Sequence, residues 1–339
     1  MLTSPNTARA VRTGDGAISR DGRPAYRPFA VTVTRVRSIG SSFRRVTLTG
    51  EGLEWFSTHG QDQRVKLLFP LGDGHLTDVG AHDPDVILNG TWYERWRSAP
   101  ESRRSPLRTY TVRAVRPEHR EVDVDMVIHG DAGPASRWAR RAEAGDRLVL
   151  IGPDARSTNY ASGADWAPGD AGEVLLAGDE TAAPAICSIL EDLPPHRRAR
   201  AFIEVPTAGD VLDVHAASTA EISWLVRGER AHGAELIPAV RSWIDANAVM
   251  VNDVRAVARQ ALDEVDVDTE LLWDSPVLQV QPIDSCGRGE RCGSDFYAWF
   301  AGEAGVIKTL RRMLVKDVGV CRRRVAFMGY WRLGRSEGS

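Results

Sequence analysis

Short β-rich stretches in the first half of the chain mostly alternate apolar and polar residues. A period of two is typical of strands that bury one face, so each stretch predicts a strand. The predicted strands are residues 29–37, 43–50, 64–70, 107–115, 121–130 and 147–153. Residues 133–146 have helical spacing instead, with Pro134 near the start and Gly145 near the end. Five or six short strands around one helix predict a small antiparallel β-barrel.

The pattern changes after residue 164. Residues 164–172 are rich in Gly, Pro and Asp, which predicts a linker. Beyond it, continuous apolar runs are typical of strands buried on both faces, and they alternate with helical segments. The predicted strands are residues 173–179, 199–206, 221–228, 296–302 and 322–331, and the predicted helices are residues 181–193, 235–247, 253–263 and 303–317. This order predicts a doubly wound α/β domain.

Composition and charge exclude several classes of protein. The 339 residues are 42% hydrophobic and 26% charged, as in an ordinary globular protein of two domains. The net charge of −3 provides no overall positive field, so no nucleic-acid partner is expected. No apolar run approaches the roughly 20 residues of a membrane span. Residues 1–26 lack the apolar stretch of a secretory signal and predict a disordered tail.

The cysteines bear on compartment and on metal binding. Four cysteines are too few for a disulfide framework in this chain, so we expect a cytoplasmic protein. Cys286 and Cys292 are separated by five residues, not by the spacing of zinc or iron–sulfur pairs. We interpret them as reduced loop thiols, with a switchable disulfide as the alternative, and we expect no metal site.

The first candidate motif is Arg108-Thr109-Tyr110-Thr111, on a predicted strand. A flat redox cofactor requires an aromatic surface, a hydrogen-bond donor and a cation for its phosphates. Tyr110, Thr111 and Arg108 offer these three groups in turn. The alternative is an ordinary strand that carries polar side chains on its surface.

The second motif runs from His129 to Trp138, where a predicted strand leads through a glycine loop into a helix. N–H groups at a helix start, together with the helix dipole, favour a diphosphate. Gly133 permits close approach of an anion, and the Ser136 hydroxyl adds a donor. The alternative is that Ser136 helps to cap the helix and that His129 is structural.

The third motif, residues 178–186, lies at a turn from a buried strand to a helix, where α/β domains bind nucleotides. Asp179 and Glu180 are unfavourable neighbours for a phosphate. We therefore expect this turn to position a nicotinamide ring, which the small Ala182 and Ala183 allow to approach. The alternative is an acidic helix start that stabilises its own dipole.

Together these motifs resemble the siderophore-interacting proteins, flavin-dependent ferric-siderophore reductases that are distantly similar to ferredoxin-NADP reductases. The resemblance covers about residues 27–335. It rests on RTYT, V-x-HG-x-x-GPAS-x-W, GDET-A-x-PAI, W-L-x-R, AGEA and GYWR-x-G, in the family's order. It implies an FAD-binding barrel domain over residues 27–160 and an NAD(P)H-binding α/β domain over residues 171–335. One departure is Ala183, where leucine is commoner.

The resemblance also implies roles for individual residues. Those expected to hold the flavin are Arg108, Tyr110 and Thr111. Those expected to hold the diphosphate and adenine are His129, Gly133, Ala135, Ser136 and Trp138. Those expected near the flavin and the nicotinamide are Asp179, Glu180 and Thr181. Arg227 would meet a ribose phosphate, or would be a solvated residue at a strand end.

The implied function is NAD(P)H-dependent, FAD-mediated reduction of a ferric siderophore. Oxygen donors hold ferric iron far more tightly than ferrous iron, so reduction releases it. NADPH or NADH gives two electrons as hydride whereas ferric iron accepts one, which requires a flavin between them. The alternatives are electron supply from a reduced ferredoxin and a non-catalytic protein that escorts ferric chelates.

A bulky anionic chelate requires basic side chains beside the flavin. Lys66 is the main candidate, because its segment also matches the family. Arg156, Lys308 and Arg311 are weaker candidates, for which a solvated surface charge is the alternative. Proton exchange at the flavin is expected to run through Thr111, with water as the alternative.

Overall fold

The structure, a computed structural model, describes residues 18–58, 60–128, 133–217, 219–252, 272–276 and 295–334. The chain divides into two compact units, residues 1–164 and 165–338. Several predicted features lie outside the described residues: residues 1–17 of the tail, His129, the helix 253–263 and the loop that contains Cys286 and Cys292. No helix in the described ranges combines the length and the apolar character that crossing a bilayer requires.

The first unit is a closed barrel of six antiparallel strands in the order β1-β2-β5-β4-β3-β6. The strands are β1 Tyr26–Ser38, β2 Phe43–Thr49, β3 Arg64–Leu68, β4 Leu107–Arg116, β5 Glu121–Val127 and β6 Arg147–Pro153. Alternate residues, among them Phe29, Val65, Leu67 and Leu150, are fully buried in one apolar core. The alternation in the sequence arises because one face of each strand lines this core.

Among the described residues, three α-helices accompany the barrel: α1 Pro84–Asn89, α2 Trp92–Ser98 and α3 Pro134–Arg141. The first two lie between β3 and β4, and α3 connects β5 to β6. The Asp83 carboxylate accepts hydrogen bonds from the first backbone N–H groups of α1. Trp96 of α2 is buried, and its indole N–H donates to the Ser105 carbonyl at 2.8 Å. Trp96 also packs with Leu68, Val149 and Ile151 of the barrel strands, which holds the α1–α2 excursion against the barrel.

The last residues of the predicted tail belong to the folded barrel unit. The Asp21 N–H donates to the Arg156 carbonyl, and the Thr158 N–H donates to the Asp21 carbonyl, both at 2.9 Å. The Arg20 guanidinium lies 4.1 Å from the centre of the Tyr160 ring. The sequence predicted disorder here because these residues are polar. Their pairing with Arg156 and Thr158, far along the chain, is not visible in the sequence.

The second unit contains a six-stranded sheet in the order β10-β12-β11-β7-β8-β9. Its strands are β7 Glu173–Gly178, β8 Arg198–Val205, β9 Ala220–Val226, β10 Trp273–Asp274, β11 Phe296–Glu303 and β12 Val325–Trp331. All pair in parallel except β10, which is antiparallel to β12. The helices are α4 Ala183–Glu191, α5 Leu236–Ala246, α6 Ala248–Asn252 and α7 Ala304–Arg311. The predicted fold class, a barrel followed by an α/β domain, is confirmed.

Two boundaries near the C-terminal end of this unit differ from the sequence prediction. The last helix is α-helical only to Arg311 and then becomes a π-helix over Arg312–Val318. Residues 313–315 of this π-helix are buried. The last strand begins at Val325, because the three arginines before it form a 3₁₀ turn.

The strand order reverses between β7 and β11. From β7 the chain adds β8 and β9 on one side, and β11 and β12 lie on the other. In open α/β sheets, ligands bind at the carboxyl ends of the strands where the order reverses. The residues that follow β7 and β11 are therefore the first place to look for a site in this unit.

Candidate functional site

The R-x-Y-T motif lies on β4, beside β3 in the barrel. Thr109 pairs with Lys66 and Thr111 pairs with Arg64 across the two strands. The Lys66 ammonium donates to the Thr109 hydroxyl at 3.0 Å, and Thr111 is 5% exposed. Residues two apart on a strand share a face, so Lys66, Thr109 and Thr111 line one surface. Lys66 and Thr111 thus lie on one surface, whereas Arg108 and Tyr110 lie on the opposite face of β4.

Tyr110 and Trp138 lie against the same phenylalanine. The Phe69 ring centre is 6.2 Å from that of Tyr110 and 5.3 Å from that of Trp138. Both partner rings are half-buried. Since Tyr110 belongs to β4 and Trp138 to α3, this contact places the first and second motifs side by side.

The start of α3 has the features of an anion site. Its N-cap is Gly133, which has no side chain to accept from the N–H groups of the first turn. A Cβ atom built on Gly133 meets no described atom within 4 Å. The first turn contains Ala135 and Ser136 and no acidic residue. The helix dipole and these donors favour a phosphate there.

In the second unit, Asp179 joins the ends of three strands. Its Oδ1 accepts from the Thr181 N–H at 2.9 Å and from the Thr181 hydroxyl at 2.5 Å. Its Oδ2 accepts from the Glu303 N–H at 2.7 Å and from the Trp331 indole N–H at 2.8 Å. These residues follow or end β7, β11 and β12, so one buried carboxylate fixes the sheet edge at the strand reversal.

Two glycines allow this close packing. A Cβ on Gly302, whose φ is 144°, would lie 2.7 Å from the Asp179 carboxylate. A Cβ on Gly178 would lie 2.5 Å from the Ala301 carbonyl oxygen. Side chains at these positions would separate β7 from β11.

The start of α4 differs from that of α3. The Ala182 and Ala183 N–H groups donate to the Asp179 carbonyl at 3.0 and 3.1 Å. These helix residues are fully buried. The donors that usually attract a phosphate at such a turn are thus used within the protein.

Three buried charged side chains form a network at this turn. The Arg227 guanidinium donates to both Glu180 oxygens, at 3.0 and 3.1 Å, and to Glu204 at 3.3 Å. The three side chains are at most 7% exposed. Burial opposes the charge of Arg227, but hydrogen bonds and the two carboxylates outweigh it and raise its pKa. Glu204 also accepts from the N–H groups before and at the start of α5, those of Gly233, Glu235 and Leu236.

This network corrects the expected role of Arg227. A ribose phosphate requires a guanidinium with donors that face solvent, whereas Arg227 is 6% exposed and holds two buried carboxylates. The solvated alternative is also wrong for the same reason. Arg227 instead joins the ends of β7, β8 and β9.

His232 lies at the same edge and was not a sequence candidate. Its ring contacts Trp331 edge-on at 4.8 Å, and burial, followed by the charge of Arg227, lowers its pKa. Side-chain atoms of Asp179, Glu180 and His232 approach within 4.8 Å of one another, as in a metal site. However, both Glu180 oxygens already accept from Arg227, which supplies the cation of this cluster.

The three weaker chelate candidates lie in different environments. The Arg156 guanidinium binds both oxygens of the buried Asp154, at 2.9 and 2.7 Å. Arg311 is 6% exposed and pairs with Asp274 at 2.9 Å. Both arginines therefore neutralise buried carboxylates, in contrast to the exposed positions expected. Lys308 is exposed on α7.

Two family profiles together match most of this chain. The profile described as "Siderophore-interacting FAD-binding domain" matches residues 32–157, and that described as "Siderophore-interacting protein" matches residues 171–334. The chain belongs to the siderophore-interacting protein family. An uncharacterized member from Mycobacterium tuberculosis is 37% identical over 65% of this chain and 71% of its own length.

Two named relatives are reductases. Ferric vibriobactin reductase ViuB of Vibrio cholerae is 26% identical over 91% of each chain. The NADPH-dependent ferric-chelate reductase of Escherichia coli is 34% identical over 48% of this chain and 56% of its own length.

Two solved structures have the same architecture. The siderophore utilization protein from T. fusca is 27% identical, with a TM-score of 0.65 over 94% of this chain and 97% of that one. The ferredoxin reductase of carbazole 1,9a-dioxygenase, 13% identical, shares the two-domain fold, with a TM-score of 0.53 over 90% of this chain and 70% of that one.

We expect Arg227→Met to destabilise this family member strongly. The substitution leaves Glu180 and Glu204 buried without a cation, so the free energy of unfolding should fall by about 3–5 kcal/mol. Urea denaturation of the full chain at pH 7, followed by circular dichroism, measures it. The matched control is Arg198→Met, which breaks an exposed pair with Glu173 and should cost less than about 1 kcal/mol. Equal losses in the two variants would contradict the role of Arg227.

Asp179 should titrate well above an ordinary aspartate. Burial, then the charge of Glu180, raises its pKa to about 6, against the hydrogen bonds from Thr181 and Trp331. Because the raised pKa belongs to the folded state, this carboxyl stabilises the protein most below about pH 4, and its contribution is lost as the pH rises through about 6.

The Trp331 indole N–H resonance reports this titration, because it donates to Asp179. Its shift should change with a midpoint near pH 6, and it should still do so in His232→Asn, which removes the neighbouring imidazole. The Trp243 indole, stacked on Phe296, is the internal control. A midpoint near pH 4 would show that Asp179 is not perturbed.

Proposed function

We propose that this chain is an NAD(P)H-dependent flavoprotein that reduces ferric siderophores and releases ferrous iron. The observation that carries the proposal is the shared contact of Tyr110 and Trp138 with Phe69. It sets an aromatic ring beside a helix start whose first N–H groups have no side-chain cap among the described residues. An isoalloxazine can pack against an aromatic ring, and a helix start favours a diphosphate. Membership of a family with an FAD-binding domain supports the same cofactor.

The residues present fit FAD. The start of α3 offers donors and a glycine for the diphosphate, and its first turn contains no acidic side chain. The half-buried Tyr110 offers an aromatic face, and Arg108 offers a guanidinium on the same side of β4. When bound, FAD would supply the chemistry that accepts a hydride and passes on electrons singly.

The remaining steps belong to protein side chains. Thr111 would exchange a proton with the cofactor through its Oγ1. Lys66, on the same face of the barrel as Thr111, would attract the anionic ferric chelate. Lys308 is the second basic candidate, because it is exposed. Arg156 and Arg311 are omitted, because buried carboxylates hold them.

The α/β unit is the proposed site for the nicotinamide nucleotide. The printed name of the Escherichia coli relative includes NADPH dependence, which supports a nicotinamide donor. A reduced ferredoxin is the second candidate donor, and one observation favours it. The N–H groups at the start of α4 donate to Asp179, and the Arg227 guanidinium binds glutamates. Neither these N–H groups nor Arg227 is therefore available to bind a phosphate.

The test of this function is an anaerobic mixing experiment on the FAD-loaded protein. We expect NADPH or NADH to bleach the flavin absorbance near roughly 450 nm. A ferric siderophore should then restore it while a ferrous trap collects iron. Bleaching only by reduced ferredoxin would select the second donor. A protein that binds ferric chelates but takes up no flavin would overturn the proposal in favour of an escort function.

Arg108→Ala should weaken FAD binding, because it removes the cation proposed for the diphosphate. One charged hydrogen bond is worth about 1.5–3 kcal/mol, so the dissociation constant should rise by about ten- to a hundredfold. Flavin absorbance after ultrafiltration measures this loss. Arg104→Ala, whose guanidinium binds backbone carbonyls and lies over Trp96, is the arginine control. Unchanged FAD affinity in Arg108→Ala would contradict the assignment.

Lys66→Ala should retain FAD and reduce ferric chelates more slowly. The loss should be greater for anionic than for neutral chelates, because the charge of Lys66 is the cause. Ferrous-trap assays with a chelate of each kind measure it, and Lys66→Arg should restore part of the rate. Equal losses with both chelates would mean that Lys66 acts in another way.

A further inference from the structure

The sheet of the second unit ends in a strand whose outer edge has no partner among the described residues. This strand is β9, and its only strand neighbour there is β8. Edge strands of natural proteins usually contain a lysine, a proline or a bulge that prevents pairing with a further strand. Residues 220–226 contain none of these, and their pairing with β8 is regular throughout. Their one charged residue, Glu221, pairs with Arg200 at 2.9 Å.

Alternate residues of β9 point their backbone groups away from β8. The Arg227 N–H donates to the Val205 carbonyl at 2.8 Å, and the Ala199 N–H donates to the Thr219 carbonyl at 3.1 Å. The odd-numbered residues of this strand therefore face β8, because backbone groups of successive residues point to opposite edges of a strand. The residues that face the outer edge are Ala220, Ile222, Trp224 and Val226.

Two of the outward backbone groups already have partners within the chain. The Ala220 N–H donates to the Ala217 carbonyl at 3.0 Å. The Val226 carbonyl accepts from the Arg230 guanidinium at 2.8 Å. The outward groups that have no hydrogen bond within the described residues are the N–H and C=O of Ile222, the N–H and C=O of Trp224, the Ala220 C=O and the Val226 N–H. The outer edge is thus a short row of donors and acceptors that ends where the chain satisfies its own groups.

The side chains of these outward residues are apolar and incompletely buried. Ile222 and Trp224 are half-buried, and Val226 is 39% exposed. All three lie on one face of the sheet, since residues two apart on a strand share a face. Pairing with a further strand would remove both this apolar surface and the outward backbone groups from water.

We propose that β9 pairs antiparallel with β9 of a second copy of this chain, about a two-fold axis at Ser223. In this register Ile222 lies opposite the partner's Trp224, and the two residues exchange both backbone hydrogen bonds. The Val226 N–H donates to the partner's Ala220 C=O. The two groups that are already in use, the Ala220 N–H and the Val226 C=O, lie opposite each other. Every outward group therefore has a partner.

The strand selects this register over its neighbours. Moving the axis to residue 222 would place the used Ala220 N–H opposite the Trp224 C=O, and moving it to residue 224 would place the used Val226 C=O opposite the Ile222 N–H. Either shift leaves one edge group unpaired. At Ser223, the axis also brings each tryptophan beside a β-branched isoleucine, which is a favourable cross-strand pair. A two-fold axis repeats each of these contacts. This inference does not depend on the proposed function.

A cysteine at the two-fold axis tests the register directly. Residue 223 would face its own copy in a non-hydrogen-bonded pair, whose Cα atoms are about 4.5 Å apart, and disulfides join Cα atoms about 4.4–6.8 Å apart. Oxidation of Ser223→Cys should therefore give a covalent dimer on non-reducing gels. The matched control is Glu221→Cys, which also loses a hydrogen bond to Arg200 but lies two residues from the axis. The parent chain gives the background from its own cysteines. Equal cross-linking in the two variants would overturn the proposal.

Sedimentation velocity of the FAD-loaded full chain measures the dimer without cross-linking. The contact is confined to one strand and is small for an interface, so we expect a reversible dimer at micromolar concentration. Ile222→Lys should weaken it by about tenfold or more, because it buries an unpaired charge. The matched control, Leu88→Lys, changes a residue of α1 that is 51% exposed and should dimerise as the parent does. Far-ultraviolet circular dichroism checks that both variants fold.

A monomer at every concentration up to about 1 mM would overturn the proposal, as would a dimer that Ile222→Lys does not weaken. A monomer in which residues 222–226 are protected from hydrogen exchange would show that another segment of the same chain covers the edge. None of these measurements involves electron transfer, so their failure would leave the reductase proposal standing.

Discussion

Charge buried at the edge of a parallel sheet has to be neutralised inside the protein, and this requirement shapes the second unit. Arg227 holds Glu180 and Glu204, which follow and end neighbouring strands. Glu204 in turn accepts the N–H groups at the start of α5. Because breaking such a network leaves a buried charge unpaired, the strand ends and the helix are fixed together. The edge is therefore rigid and acidic.

The same requirement distinguishes the two helix starts that the sequence singled out. At α4, Asp179 takes up the N–H groups, and its carboxylate also binds the ends of β11 and β12. At α3, the N-cap is a glycine and no acid lies in the first turn. An anion is thus favoured at α3 and opposed at α4. The proposed roles follow: a diphosphate in the barrel unit, and at the sheet edge a ring rather than a phosphate.

Much of the fold was predictable, because a strand buried on one face or on both faces has a recognisable local pattern of apolar residues in the sequence. The alternating strands close into the barrel, and the continuous apolar strands form the sheet. The motifs around Tyr110 and Trp138 were also visible in the sequence. That they meet at Phe69 depends on barrel closure, which no local pattern shows.

Two of the errors concern charged residues whose partners are distant in the sequence. Arg227 and Arg311 were expected to face ligands, but Glu180 and Asp274 hold them, 47 and 37 residues away. Glu204 was missed, although a single acid within an apolar strand was a signal that it would need a buried partner. The sequence shows that a residue is charged, but it does not show which residue neutralises that charge.

The most direct test of this account is amide hydrogen exchange on the full chain, with and without FAD. Peptides that cover the start of α3, residues 133–137, should exchange more slowly when FAD is bound, because its diphosphate would accept from their N–H groups. Peptides that cover residues 179–186 should be protected already and should not change. Unaltered exchange at residues 133–137 in a flavin-loaded protein would contradict the account.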